Sequence, residues 1–224
     1  MCGLAGIFGP APERGSRMKR GLDALQHRGP DGRGVWSDGD VMLGHVRLAL
    51  VDPDGGQQPL ADANLHAVVT GELYDDEVLR KELEGRGHRF TSACDSELVL
   101  HAYREWGEAM FEHLHGEYAL ALYDQATKRV LLARDPMGVR PLLLCRLGGA
   151  LLIASEAKAL WAMGLERGWN AHGLDQVLRL QYPLPGETVF QGIEAVRPGE
   201  CQTFDARRPH ETERFFHAPV HFSP

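Results

Sequence analysis

The stretch Cys2-Gly3-Leu4-Ala5-Gly6-Ile7-Phe8 follows Met1 directly, so a nucleophilic side chain stands at the front of a short apolar run that opens the protein. Cysteine is small enough for the initiator methionine to be removed, which would leave Cys2 as the first residue. A chain-terminal cysteine carries its own base. An α-amino group has a pKa of about 7.7–8.0, so part of it is neutral near pH 7 and can take the thiol proton, directly or through water. The pairing of a threonine with its own terminal amine is a variant of the same nucleophile–base logic. On position alone, a chance small residue at a terminus is the simpler account, because a lone cysteine says little without partners.

Working outward, strand signals dominate. Met18 to Gln26 has helical spacing (Met18, Leu22, Leu25) and stops at the turn-rich His27-Arg28-Gly29-Pro30-Asp31-Gly32. Asp38-Gly39 predicts a hairpin between Val35-Trp36 and Val41-Leu43, and Gly148-Gly149 predicts another between Leu142–Cys145 and Ala150–Ala154. Between them lie helices predicted at 75–84 and 96–106, the second with an apolar stripe of Leu98, Val99, Ala102, Tyr103 and Trp106. Strands at 118–123 and 130–133 pair across a polar turn, short helices are expected at 156–163 and 174–180, and the end of the chain reads as irregular. The pattern is α+β, with hairpin-built antiparallel sheets and helices grouped outside them.

Composition narrows the class. The chain has 224 residues and a net charge of −7, with no Lys/Arg run, which argues against nucleic acid as a partner. No apolar stretch approaches the roughly 18 residues of a membrane span. The N-terminus lacks a signal-peptide layout, so a cytoplasmic location is expected. Cys2, Cys94, Cys145 and Cys201 lie far apart without CxxC spacing and read as reduced thiols. The last three are expected to pack as small hydrophobes. The eleven histidines show no paired metal-ligand spacing, and no metal site is expected.

Six motifs occur in order: Cys2 to Ile7, His27 to Asp31, Arg47 to Asp52, Gly71-Glu72-Leu73-Tyr74, Arg134 to Leu142 and Ala154 to Leu160. Together they resemble the class II (N-terminal-nucleophile) glutamine amidotransferase domain of glutamine-hydrolysing asparagine synthetases, over nearly the whole chain. The resemblance implies an Ntn-hydrolase-like four-layer αββα sandwich. It also implies conversion of L-glutamine to L-glutamate and ammonia through a γ-glutamyl thioester on Cys2, which splits one hard hydrolysis into two easier steps.

The resemblance also implies roles for single residues. Arg47 corresponds to the family's carboxylate-binding arginine, a role for which its planar fork suits. Asp95 corresponds to the ammonium-binding acid and Glu72 to its neighbour, while Leu50 and Val51 correspond to main chain lining the glutamine site. From the residues alone, Arg47 is also a strand-capping surface arginine and Asp95 a helix N-cap. Arg28 and Asp31 are expected to order the loop behind the nucleophile. The family's oxyanion hole combines an asparagine side chain with the next glycine N–H. Here the asparagine position holds Thr70, beside Gly71. Loss of one such donor typically costs about 10²–10³ in rate.

The sequence contains no Gly-rich phosphate loop, so no cofactor is expected within 1–224, read as one glutaminase domain. ATP and Mg are expected only with a separate synthetase domain or subunit that receives the ammonia, and a homodimer is a further partner expectation. The competing expectation is a catalytically impaired glutamine-binding, regulatory or structural module, with Thr70 as the cause.

Overall fold

Leu4 and Phe8 point one way from β1 (Gly3–Phe8), Ala5 and Ile7 point the other, and each pair enters a different core. That period-2 alternation is the key to the layering. The computed structural model describes residues 1–50, 52–53 and 55–216.

The first sheet combines β1 with β2 (Gly32–Asp38), β3 (Val41–Arg47), β8 (Leu143–Leu147), β9 (Ala150–Ala154) and β10 (Glu194–Ala195). Its order is β10-β8-β9-β1-β3-β2. The second sheet takes β4 (Leu60–Asp62), β5 (Leu65–Leu73), β6 (Gly116–Asp124), β7 (Arg129–Arg134), β11 (Glu200–Asp205) and β12 (Glu213–Phe216), in the order β12-β11-β7-β6-β5-β4. Adjacent strands in both sheets are antiparallel.

Three buried clusters fill the three gaps between four layers. Helices α1 (Arg14–Leu25) and α4 (Ala157–Ala162) cover the outer face of the first sheet through Met18, Leu22, Leu25 and Leu160. Helices α2 (Asp76–Gly85) and α3 (Leu98–Trp106) cover the second through Leu79, Leu83, Leu98 and Ala102. Between the sheets, Leu4, Phe8, Val41 and Leu43 meet Val68, Ala119, Ala121 and Leu132. This is the expected αββα arrangement. A further helix, α5 (Ala171–Leu180), is capped by the Asn170 side chain, which accepts from His172 N–H.

Three details differ from the sequence-based expectations. The first hairpin turns at Gly39-Asp40, because Asp38 is still paired with Val41. The described C-terminal stretch up to Phe216 is not all irregular, since β10, β11 and β12 complete the two sheets. The residue at the N-cap of the helical segment after Cys94 is Cys94 itself, without a side-chain capping bond, so Asp95 is not the cap.

Candidate functional site

Cys2 lies just ahead of β1, and its Sγ accepts a hydrogen bond from Leu48 N–H at 3.3 Å. Its carbonyl accepts from Arg28 Nε at 2.8 Å. Arg28 in turn donates to Glu156 at 2.8 Å, and Glu156 also meets Lys158 and His27, each at 3.0 Å. Burial works to raise the Glu156 pKa, but the bonds from Arg28, Lys158 and His27 outweigh it and hold the carboxyl at about 2. Ser155 follows β9, where its N–H donates to Leu4 O and its hydroxyl oxygen accepts from Leu4 N–H, both at 3.0 Å. The motifs around His27 and Glu156 therefore meet behind Cys2. Asp31 ties the adjoining loop, its carboxylate accepting from Ala49 N–H at 2.9 Å.

Arg47 ends β3 and is 4% exposed. Its guanidinium donates to the carbonyls of Asp52 at 2.6 Å and Pro53 at 3.2 Å. Asp52 accepts from Ala93 N–H at 2.9 Å, which links the Arg47 loop to the segment carrying Asp95. That segment is ordered by Glu97, which gathers the N–H and hydroxyl groups of both Thr91 and Ser92. Asp95 accepts from Ser96 N–H at 2.8 Å and Leu73 N–H at 2.7 Å.

The register of β5 decides where its backbone donors point. Tyr74 N–H bonds His115 O and Gln125 N–H bonds Asn64 O, so the even-numbered residues of β5 exchange bonds with β6. The odd-numbered ones face the opposite edge. There Ala67 pairs with Leu60, Val69 is bonded by the Gln58 side chain, and Leu73 is bonded by Asp95. Gly71 falls between the last two, with its N–H turned toward the Cys2 side. Its φ is 142°, and a Cβ there would run into the Glu117 carbonyl, so no other residue fits without moving β6.

These groups enclose a cavity of about 320 Å³ lined by Cys2, Arg47, Leu48, Leu50, Gly71, Glu72 and Asp95, together with Met1, Gln58, Val69, Cys94, Ser96 and Arg140. Leu50 is 79% exposed and stands at its mouth. Thr70 is 1% exposed and does not line the cavity; its hydroxyl donates to Ala119 O at 3.5 Å. Val51 lies outside the described residues. The sequence quoted Arg140 within a motif without a role for it. The Asp135 carboxylate collects the N–H groups of Met137, Val139 and Arg140, which turns Arg140 toward the cavity, where it pairs with Glu117. Among the described residues no group of three or more His, Cys, Asp or Glu is arranged to hold a metal ion. No helix among them is long and apolar enough to cross a membrane.

The profile of the glutamine amidotransferase domain family matches residues 1–216. The chain belongs to this family. It is 38% identical over 213 residues to asparagine synthetase [glutamine-hydrolyzing] 3 of Bacillus subtilis, a match covering 91% of this chain and 35% of that protein. It is also 38% identical over 231 residues to amidase chry2 of Gibberella zeae, covering 95% of this chain and 33% of the relative. The amidotransferase domain thus spans about a third of the length of these relatives. Glutamine phosphoribosylpyrophosphate amidotransferase from B. subtilis shares the fold, with a TM-score of 0.71 at 23% identity over 96% of this chain and 49% of that one.

Proposed function

We propose that this domain hydrolyses the side-chain amide of L-glutamine to L-glutamate and ammonia, with Cys2 as the nucleophile after removal of Met1. One observation carries the reading: Cys2, Arg47, the carboxylates Glu72 and Asp95, and Gly71 with its free-edge N–H line one cavity. Glutamine is a zwitterion with an amide at the far end, and the cavity offers a complement to each part. Arg47 faces the α-carboxylate, Asp95 and Glu72 face the ammonium, and Cys2 and Gly71 are left for the amide.

The chemistry then follows. The α-amine of Cys2 takes the thiol proton, and Sγ adds to the amide carbon. Negative charge develops on the amide oxygen, and Gly71 N–H receives it. The amine returns the proton to the leaving nitrogen, ammonia departs, and the C–S thioester remains. Water adds to that carbonyl, the C–S bond breaks, and glutamate leaves with the thiol restored. Thr70, bonded to Ala119, supplies no second donor in this arrangement, so the hole rests on Gly71. Family membership favours this hydrolytic reading over an impaired module.

The ammonia is destined for a synthetase domain or partner, where ATP and Mg would act, and self-association of this domain is a further proposal. The test is labelling with a diazo-ketone analogue of glutamine. Intact-protein mass should show loss of Met1, and peptide mapping should place one adduct on Cys2. A label on Cys94, Cys145 or Cys201 instead would overturn the assignment. Cys2→Ala should abolish hydrolysis while keeping glutamine binding.

A further inference from the structure

The proposed chemistry is divided between two sheets: Cys2 leads into β1 and Arg47 ends β3 of the first, and Gly71 belongs to the second. Its geometry therefore depends on what fixes one sheet against the other at this point. Two buried polar side chains converge there on the backbone of a single residue, Val69, two residues from Gly71. Gln58 accepts from Val69 N–H at 2.7 Å and donates to Val69 O at 3.0 Å. His45, from β3 of the first sheet, donates through Nε2 to the same carbonyl at 3.1 Å. We infer that Gln58 and His45 form a staple across the two sheets that aims Gly71 N–H at the Cys2 cavity, so that both act as positioning residues for amide cleavage. The inference rests on the hydrolytic reading above.

The local backbone explains why a side chain is needed. Pairing of β4 with β5 ends at Leu60 opposite Ala67. Beyond it the main chain of Gln58 leaves the second sheet and lies against Gly34 of β2, so close that a Cβ at Gly34 would collide with the Gln58 carbonyl. Gln58 thus has its backbone on one sheet and its amide on the other, where the amide substitutes for the two missing ladder bonds. The Val69 carbonyl has two lone pairs, and the amide and imidazole take one each. His45 must carry its proton on Nε2 to donate, and its Nδ1 has no partner among the described residues. Val69, Gly71 and Leu73 share one edge, so the staple at Val69 and the Asp95 bond at Leu73 hold Gly71 from both sides.

The experiment compares the parent with Gln58→Met, which keeps volume but loses both bonds, with His45→Phe, which loses one, and with the double variant. Each is measured for kcat and KM with glutamine, for thermal unfolding, and for amide hydrogen exchange over residues 66–73. Gln58→Met should speed exchange in that segment and lower kcat by about 10²-fold, the scale of a lost or misplaced oxyanion donor, with KM little changed. His45→Phe should have a smaller effect. The double variant should depart from additivity, because both bonds end on one carbonyl. Unchanged exchange in folded Gln58→Met overturns the staple. Faster exchange with kcat intact, or a loss confined to KM, overturns the positioning role. A parent that neither turns over nor labels at Cys2 overturns the hydrolytic reading itself, and the positioning role with it.

Discussion

Leu73 donates its backbone N–H to the Asp95 carboxylate at 2.7 Å, so a residue proposed to read the substrate also ends the exposed edge of β5. One acid serves strand and ligand together. The two duties separate in Asp95→Asn, which keeps an oxygen for Leu73 N–H but loses the charge. Thermal stability should stay near that of the parent, while calorimetry should show glutamine binding weakened by about 1.5–3 kcal/mol, the range for hydrogen bonds to charged groups. Asp95→Ala should lose both. Equal affinity in the parent and Asp95→Asn would remove the ammonium assignment.

Thr70→Asn should raise kcat. The threonine hydroxyl is engaged with Ala119 O, whereas an asparagine amide at the same position is longer and planar. A second donor to the developing oxyanion is worth about 10²–10³ in rate. A neutral ground-state carbonyl gains little from it, so KM should hardly move. Steady-state glutaminase assays on protein with a verified Cys2 terminus decide this, and equal kcat would show that a second donor at this position is not limiting.

Burial lowers the His45 pKa from 6.5 to about 4, with the Val69 bond working against that shift and nearby Arg47 adding to it. The unfolded chain therefore binds a proton that the folded chain refuses as pH falls below 6.5. Stability should be full above that value and decline by about 1.4 kcal/mol per pH unit from this group until the folded pKa is reached. Urea unfolding at several pH values in that window should show the slope. His45→Phe should flatten it.

Glu156 responds in the same direction but lower down. With its carboxyl held at about 2, its contribution is present above the ordinary value of 4.5 and lost as pH falls through the folded value. Glu156→Gln should loosen Arg28 and slow adduct formation at Cys2 without unfolding the protein. Alkylation kinetics measure this, and a rate equal to the parent's would show that Arg28 holds the nucleophile unaided.

Much of the layering could be read from alternation. The hairpin at Gly148-Gly149 turns as expected, because both residues adopt the positive φ such a turn requires. The strand β11 escaped notice because Glu200, Gln202 and Thr203 are polar yet buried, so no apolar period marks it. In the first hairpin the choice between Asp38 and Asp40 rests on cross-strand pairing, which one strand's composition does not encode. Of the residues assigned from motif likeness, Cys2, Arg47, Leu50, Gly71, Glu72 and Asp95 do surround one cavity, whereas Thr70 sits behind it. Gln58 gave no signal, since a glutamine before proline in a polar loop looks like solvent-facing chain. Its role exists only once two sheets are stacked.

The bonds that hold Cys2 all engage its own sulfur and carbonyl: Leu48 N–H on one and Arg28 on the other. Cys2 is therefore gripped through its own atoms, and the side chain of Met1 ahead of it meets the same Arg28 guanidinium at 3.1 Å. Removal of the first residue would free the α-amine and also take a side chain out of the cavity, so unprocessed protein should melt like the mature form while binding glutamine more weakly and remaining inert. For anyone preparing the protein, an affinity tag fused ahead of Met1 would give a well-folded dead domain, and a protease that trims back to Cys2 would switch it on.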